Sequence, residues 1–317
     1  MTRFVVCGET LIDLMPAESD SDNSQRSTWL ALSAGGPMNS AVALGKLGLD
    51  TQFLGRLSTD SFGRQLRQHI EAAQVQLDLA TESDQATSIA VVSFDGEGVA
   101  SYTFHFDHTA NFGWEPADLP GLAPDDWLHI ASLACVVSPG GEVLLDWARR
   151  LSCGVSYDIN VRPSVINDPY AYWEKVEPWL GVVAGNQGIL KASDVDVRFL
   201  APAAGVSEDA VEAMGTWVQQ YGYRVGVVTL GAEGAATVEP DGTRTVVKSF
   251  PTQVADTVGA GDTFMAGFLD AYVGRKTDVH TALTRGVAAA SIVCSRQGAQ
   301  PPTSAEVDEL IATGVGA

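Results

Sequence analysis

Four cysteines in 317 residues (Cys7, Cys135, Cys153 and Cys294) are too few and too scattered for a disulfide framework. Each lies in an apolar segment, so the sequence predicts reduced thiols buried in a cytoplasmic protein. Histidine is equally scarce: five residues with no HxxxH or CxxC-type cluster argue against protein-held zinc. No apolar run reaches the roughly 18 residues that a membrane-spanning helix needs. The amino-terminal MTRFVVCGETLIDLMP has a short apolar run with no small-residue cleavage site after it, and reads as a first strand rather than a signal peptide. Positive charge is short as well. Only five lysines stand among 19 basic residues, against 39 acidic ones, for a formal net charge of −20. Such a surface repels nucleic acid and anionic membranes, and neither is expected as a partner. An anionic substrate would have to be attracted locally, by metal ions, helix N-termini and a few placed Arg or Lys. Two phosphate signatures are missing too. There is no GxGxxG after the first strand and no GxxxxGK[ST] anywhere, which argues against a dinucleotide oxidoreductase and a P-loop NTPase.

What is present suffices for a large core, since 45% of the residues are hydrophobic. Short β-branched runs alternate with helical periods. Strands are expected at Arg3–Cys7, Thr51–Leu54, Trp127–Ala131, Val155–Asp158, Gly181–Ala184 and Val225–Thr229, and helices at Pro37–Leu47 and near 61–73, 139–151, 170–180 and 207–221. This alternation predicts an α/β protein with a mostly parallel sheet covered by helices on both faces, which binds ligands at the carboxyl ends of its strands. Two regions break the pattern. Residues 15–34 are polar and lack helical period. Residues 87–106 read as a hairpin with its turn at Asp95-Gly96-Glu97-Gly98, and in its second strand Tyr102, Phe104 and Phe106 share one face. A hairpin inserted in an α/β domain is a candidate lid.

The chemistry concentrates in a few stretches. In DTVGAGDTF, residues 256–264, three tiny residues (Gly259, Ala260, Gly261) precede Asp262, and Phe264, Met265, Phe268, Leu269 and Tyr272 follow at helical spacing. A helix starting there would leave its first N–H groups unpaired beneath bare backbone, where an anion can approach closely. In SAGGPMNSAVALGKLG, Gly35 and Gly36 precede Pro37 at a helix start. Asn39 sits off the buried stripe, placed to bond a polar ligand or to cap local backbone. In GETLIDLMP, Asp13 lies among Leu11, Ile12 and Leu14, an odd place for a carboxylate without a partner. It could accept two hydroxyl hydrogen bonds or cap a turn. SYDINVRP ends a strand with Asn160 and Arg162; the arginine could neutralise phosphate or pair with Asp158 or a surface acid. KASDVD, with Lys191 and Ser193, and VTLGAEGA, with Thr229, Gly231 and Gly234, are weak signals singly.

Together, the GGxxN helix start and the DTxGAGDxF motif, in this order and spacing, resemble the ribokinase (PfkB) family of carbohydrate kinases over essentially the whole chain. Within it, GETLIDLMP, DWLHIASLA and SYDINVRP look most like bacterial fructokinases. The resemblance implies a Rossmann-like α/β/α three-layer domain spanning 1–317, with a small β-sheet lid from insertions near 15–34 and 87–112. It implies phosphoryl transfer from ATP to a sugar's primary hydroxyl, with Mg²⁺ and, in some members, K⁺. Asp262 would be the base, and the amides of Gly259, Ala260 and Gly261 would hold the transferring phosphoryl. Asp13, Gly35, Gly36, Asn39, Phe104 and Arg162 would line the sugar site. Lys191, Ser193, Thr229, Gly231, Gly234, Gly259 and Gly261 would lie along the nucleotide. Asp196 would reach Mg²⁺ through water and Asp256 would help hold a monovalent cation. A homodimer through the lid is also implied. Three departures stand out. The family's N/K-x-x-E element reads Ser193-Asp194-Val195-Asp196, Val287 stands where relatives place an Asn near adenine, and Asp107 stands where many fructokinases place an Arg. The expected reaction is fructose to fructose 6-phosphate; the alternatives are a kinase for ribose or 2-keto-3-deoxygluconate, or a catalytically silent sugar-binding protein.

Overall fold

The runs FVVC, TQFL, WLHIA, GVSYD, ILKAS and VGVVT are buried along nearly their whole length, as strands covered on both faces must be. A computed structural model, which describes residues 2–17, 27–94 and 100–314, places them side by side. In chain order the strands are β1 (Phe4–Cys7), β2 (Leu11–Pro16), β3 (Trp29–Ala34), β4 (Thr51–Leu54), β5 (Arg56–Ser58), β6 (Thr81–Ser83), β7 (Ile89–Phe94), β8 (Ala100–His105), β9 (Trp127–Ala131), β10 (Gly154–Asp158), β11 (Ile189–Ser193), β12 (Val225–Thr229), β13 (Ala235–Val238) and β14 (Arg244–Val247). The helices are α1 (Gly36–Lys46), α2 (Ser61–Ala72), α3 (Gly140–Ala148), α4 (Pro169–Gly185), α5 (Asp194–Ala204), α6 (Ala210–Tyr221), α7 (Ala260–Leu269), α8 (Val279–Cys294) and α9 (Ser304–Thr313).

The main sheet has eight strands in the order β14-β13-β12-β11-β10-β9-β1-β4. All pairs from β12 to β4 are parallel, and at one edge β13 alone runs in the opposite direction, pairing antiparallel with both β12 and β14. On one face Trp147, Tyr172, Leu200 and Trp217 of α3 to α6 close the core; on the other, Leu44, Ile70, Phe268, Leu283 and Leu310 of α1, α2, α7, α8 and α9 do so. The chain leaves β1 through α1 to β4 on one side and returns at β9 on the other. The strand order therefore reverses at β1, which opens a crevice at the carboxyl ends of β1 and β9.

A second sheet, β3-β2-β7-β8, covers that crevice. Its side chains alternate, which resolves the oddity of Asp13. Leu11 and Asp13 share the inner face of β2, while Ile12 and Leu14 pack into the core beneath. On β8 Tyr102 and Phe104 stack at 6.2 Å on that inner face, and Phe106 continues the row onto Phe112. The expected turn at 95–98 and the middle of the 15–34 segment fall outside the described residues. The four-stranded sheet nonetheless pairs the strands flanking both segments.

One expected strand is not there. Gly181–Ala184 continues α4, which runs to Gly185, and the neighbouring strand is instead Ile189–Ser193. A short apolar run reads alike as strand or as buried helix, and here Trp179, Leu180, Val182 and Val183 extend the helix's buried face. Cys7, Cys135 and Cys153 are free and buried, and Cys294 is free and half-buried. Among the described residues no helix is long and apolar enough to cross a membrane.

Candidate active site

Two cavities meet over the start of α7. The first, about 470 Å³, lies between the lid and the carboxyl ends of β1 and β9. It is lined by Asp13, Gly35, Gly36, Asn39, Phe104, Arg162 and Asp262, all the residues expected on the sugar side. The second, about 760 Å³, lies beyond the ends of β11 and β12 and takes in Lys191, Ser193, Asp196, Thr229, Gly231 and Gly234. Asn160, Thr257, Ala260 and Gly261 line both. Gly259 lines the first cavity only.

The shared turn is built for an anion. Gly259 caps α7 at φ 74°, a left-handed backbone that glycine adopts at little cost, and no side chain caps the helix. The amides of Gly259 and Gly261 have no backbone partner among the described residues. Ala260 departs from expectation. Its N–H donates to the Thr257 carbonyl at 3.2 Å, because the turn that sets Gly259 closes on itself.

Asp262, in the first turn of α7, is buried. Its Oδ2 accepts a 2.9 Å bond from Asn39 Nδ2, and its Oδ1 faces Gly36. Burial raises its pKa, while Asn39, Arg162 and Lys191 pull the other way. Gly36 leaves little room for a side chain: a Cβ there would sit 3.1 Å from Asn160 Nδ2, which would have to give by a few tenths of an ångström, and 3.4 Å from Asp262 Oδ1, in ordinary contact. Gly35 is required for its conformation, φ 125°, with Glu9's carbonyl 2.7 Å from any added Cβ.

Arg162 pairs with no carboxylate among the described residues. Its Nη1 donates to Asn160 Oδ1 at 2.6 Å, and Asn160 sits at φ 44°. A left-handed Asn costs about 1 kcal/mol or more, a strain characteristic of functional sites. Asp158, the partner once open to Arg162, instead holds Lys191 at 2.8 Å. Asp13 is pushed up to about 6 by burial, with Arg162 opposing.

Asp196 caps α5 and spends one oxygen on the amide of Ser193 and the other on that of Val161. Asp256 does likewise with Val258 and Gly298. Val287 lines the second cavity beside Phe250, Pro251, Val254 and Ala290, an apolar slot. Asp107, His105 and His108 are exposed and line neither cavity.

Sequence reasoning missed Glu9 and Leu133 at the strand ends, and offered Asp158 only as a partner for Arg162, whereas it pairs with Lys191. Glu9 is buried, accepts a 3.0 Å bond from the Ala134 amide and is pushed up to about 7 by burial. A carboxylate directly after a strand, four residues before Asp13, was the available signal.

This arrangement, a lidded cavity and an elongated one joined at a helix start with unpaired amides, is that of a small-molecule phosphotransferase. The chain belongs to the pfkB family of carbohydrate kinases, whose model matches residues 1–306. The protein is a sugar kinase. It is 34% identical over 271 residues to a fructokinase of Rhizobium leguminosarum bv. trifolii, a match covering 84% of this chain and 78% of that protein. It is 26% identical over 321 residues to a 5-dehydro-2-deoxygluconokinase of Geobacillus kaustophilus, covering 97% and 93%. A Vibrio cholerae O395 fructokinase, solved as a double mutant with fructose, ADP and potassium ion bound, has the same fold, with a TM-score of 0.82, 24% identity and 98% of each chain covered.

Proposed function

We propose that the enzyme transfers the γ-phosphoryl of ATP to the 6-hydroxyl of D-fructose. One observation carries this reading: the lidded cavity and the elongated cavity share the turn at Ala260 and Gly261, so an acceptor in one faces a phosphoryl donor in the other. Asp262 takes the hydroxyl proton as the new P–O bond forms, and the ADP oxygen leaves with the electrons of the bond that breaks. The amides of Gly259 and Gly261 face the equatorial oxygens, where charge spreads in a loose transition state.

The inner wall favours a neutral sugar. Among the described residues lining the first cavity, Arg162 is the one cation, and Glu9, Asp13 and Asp262 each feel its charge. A substrate carboxylate would compete with three acidic groups for one guanidinium. The Geobacillus relative is named for a sugar acid, and that class is the competing reading.

Mg²⁺ fits the second cavity through water, because each Asp196 oxygen accepts only one amide and keeps a lone pair. When bound it neutralises phosphate charge. Asp256 keeps a lone pair on each oxygen in the same way, and is the residue to which we assign a monovalent cation such as K⁺. A second copy of the chain is proposed at β3, an edge strand of the lid, where Trp29, Leu30 and Leu32 are exposed, the two leucines on the face that carries Asp13.

The test is a coupled ADP-release assay with Mg-ATP over D-fructose, ribose and 2-keto-3-deoxygluconate. We expect the highest kcat/KM for fructose. A preference for the sugar acid by more than about tenfold, roughly 1.4 kcal/mol, overturns the electrostatic argument.

A further inference from the structure

Lys191 is 3% exposed on β11. Its ammonium has three protons, and one is bound to Asp158 Oδ2 at 2.8 Å. Asp158, 1% exposed, lines neither cavity, and its other oxygen has no hydrogen-bond partner among the described residues. A carboxylate left half-satisfied in a dry interior is costly, and such groups persist where they serve a purpose.

Gly261 shows what that purpose is. It sits in the first turn of α7 with an ordinary φ, so glycine is not needed there for the backbone. A Cβ at this position would come within 3.1 Å of a single atom, Lys191 Nζ. The missing side chain leaves room for the ammonium against the turn that both cavities share.

Resting on the phosphotransferase reading above, we propose that Lys191 is a catalytic residue whose ammonium contacts the transferring phosphoryl group. Asp158 is its positioning residue, which aims the side chain and keeps it charged. The inference goes beyond a nucleotide-lining role for Lys191, because it places the charge at the junction rather than along the donor. It also gives a function to a carboxylate that touches no substrate.

The charged groups around Lys191 fix the sign of the effect. Asp158 on β10, Asp196 on α5 and Asp262 on α7 favour its charge. His129 on β9 is buried and held neutral, its pKa lowered to about 3. Burial works against the ammonium, yet the three carboxylates hold its pKa above the ordinary lysine value. Removing Asp158 takes away the nearest of them, so the pKa falls and the charge is lost as pH rises through the new value.

Two readouts test this. The first is direct and needs no activity: ε-¹³C lysine NMR on the whole enzyme, which has only five lysines to assign. Lys191 in the wild type should stay charged beyond pH 10, and in Asp158→Asn it should titrate at least about one pH unit lower. The second is the kcat–pH profile with Mg-ATP and fructose. Lys191→Met should lower kcat about 10²–10³-fold, as loss of one transition-state donor does, with the sugar KM changed less than threefold. Asp158→Asn should acquire a falling alkaline limb between pH 7 and 10 that the wild type lacks. The double variant should be no slower than Lys191→Met, because Asp158 acts only through the lysine.

An unaltered titration of Lys191 in Asp158→Asn overturns the positioning role, and so does a double variant whose losses multiply. Should Asp158→Asn fail to fold, Lys191→Met decides alone: an unchanged kcat overturns the proposal. A wild type that phosphorylates no sugar would overturn the kinase reading instead, and the NMR titration would still report on the pair.

Discussion

Asp262 holds Asn39 with one oxygen and leaves the other toward Gly36 and the first cavity. We predict that Asp262→Asn lowers kcat by at least about 10²-fold, the lower range for a positioned base. Fructose affinity by calorimetry should change less than about tenfold, since the amide keeps the shape of the site. A kcat above about a hundredth of wild type would remove the base role. Asp13 carries a pH prediction. Its folded pKa, about 6, lies above the usual carboxylate value. It ionises as pH rises through that value, and the proposed role, accepting sugar hydroxyls, depends on that charge. The fructose KM should therefore increase as pH falls below about 6, and Asp13→Asn should flatten that dependence while raising KM throughout. An ATP KM that carries the same dependence would place Asp13 in the wrong cavity. At this scale the sequence was readable where a residue's neighbours in the chain are also its neighbours in space, as at Gly259 to Asp262. Asp158 was not readable, because its partner lies 33 residues away on the next strand.

Two glycines and a helix start line the first cavity, the proposed acceptor side, and the element rather than any one side chain sets its width. α1 begins where Gly35 adopts φ 125° and Gly36 leaves a gap between Asn160 and Asp262. We predict that Gly36→Ala abolishes detectable fructose binding by calorimetry, while ADP affinity stays within about threefold. Equal loss of both would mean that the substitution unfolds the junction instead of filling the acceptor cavity. Where an element was expected, its type was mostly legible from period and length; β11, β13, β14, α5, α8 and α9 carried no such expectation. The exception, Gly181–Ala184, shows the limit: GVVA is an apolar run of four, and whether it is strand or helix is decided by α4 packing through Trp179 and Val183, not by the run itself. The lid strands were legible on β8 through the Tyr102, Phe104, Phe106 alternation. On β2 the same alternation was hidden, since Ile12 and Leu14 are apolar on the core face and Leu11 is apolar on the cavity face.

For the molecule as a whole, the parallel sheet brings one end of β1, β9, β10, β11 and β12 together, and the lid sheet closes the acceptor half of that edge. The outer lid strand exposes Trp29, Leu30 and Leu32 at 41%, 54% and 41%. We predict a homodimer by sedimentation, converted to monomer by Leu30→Asp; a wild-type monomer at tens of micromolar would refute the proposed interface. The acidic balance of the chain, −20, was informative mainly by exclusion. It led us to expect no polyanionic partner and to look for anion-handling in a few placed groups, which the fold gathers at the ends of the strands. We propose that a phosphoryl passes from the elongated cavity to a primary hydroxyl held beneath the lid. The most direct test is ³¹P–¹H NMR of the product formed from D-fructose and Mg-ATP. Phosphate coupled to the protons on carbon 6 and stoichiometric ADP are expected. Phosphate on carbon 1, or ADP released without a sugar phosphate, would contradict the proposal.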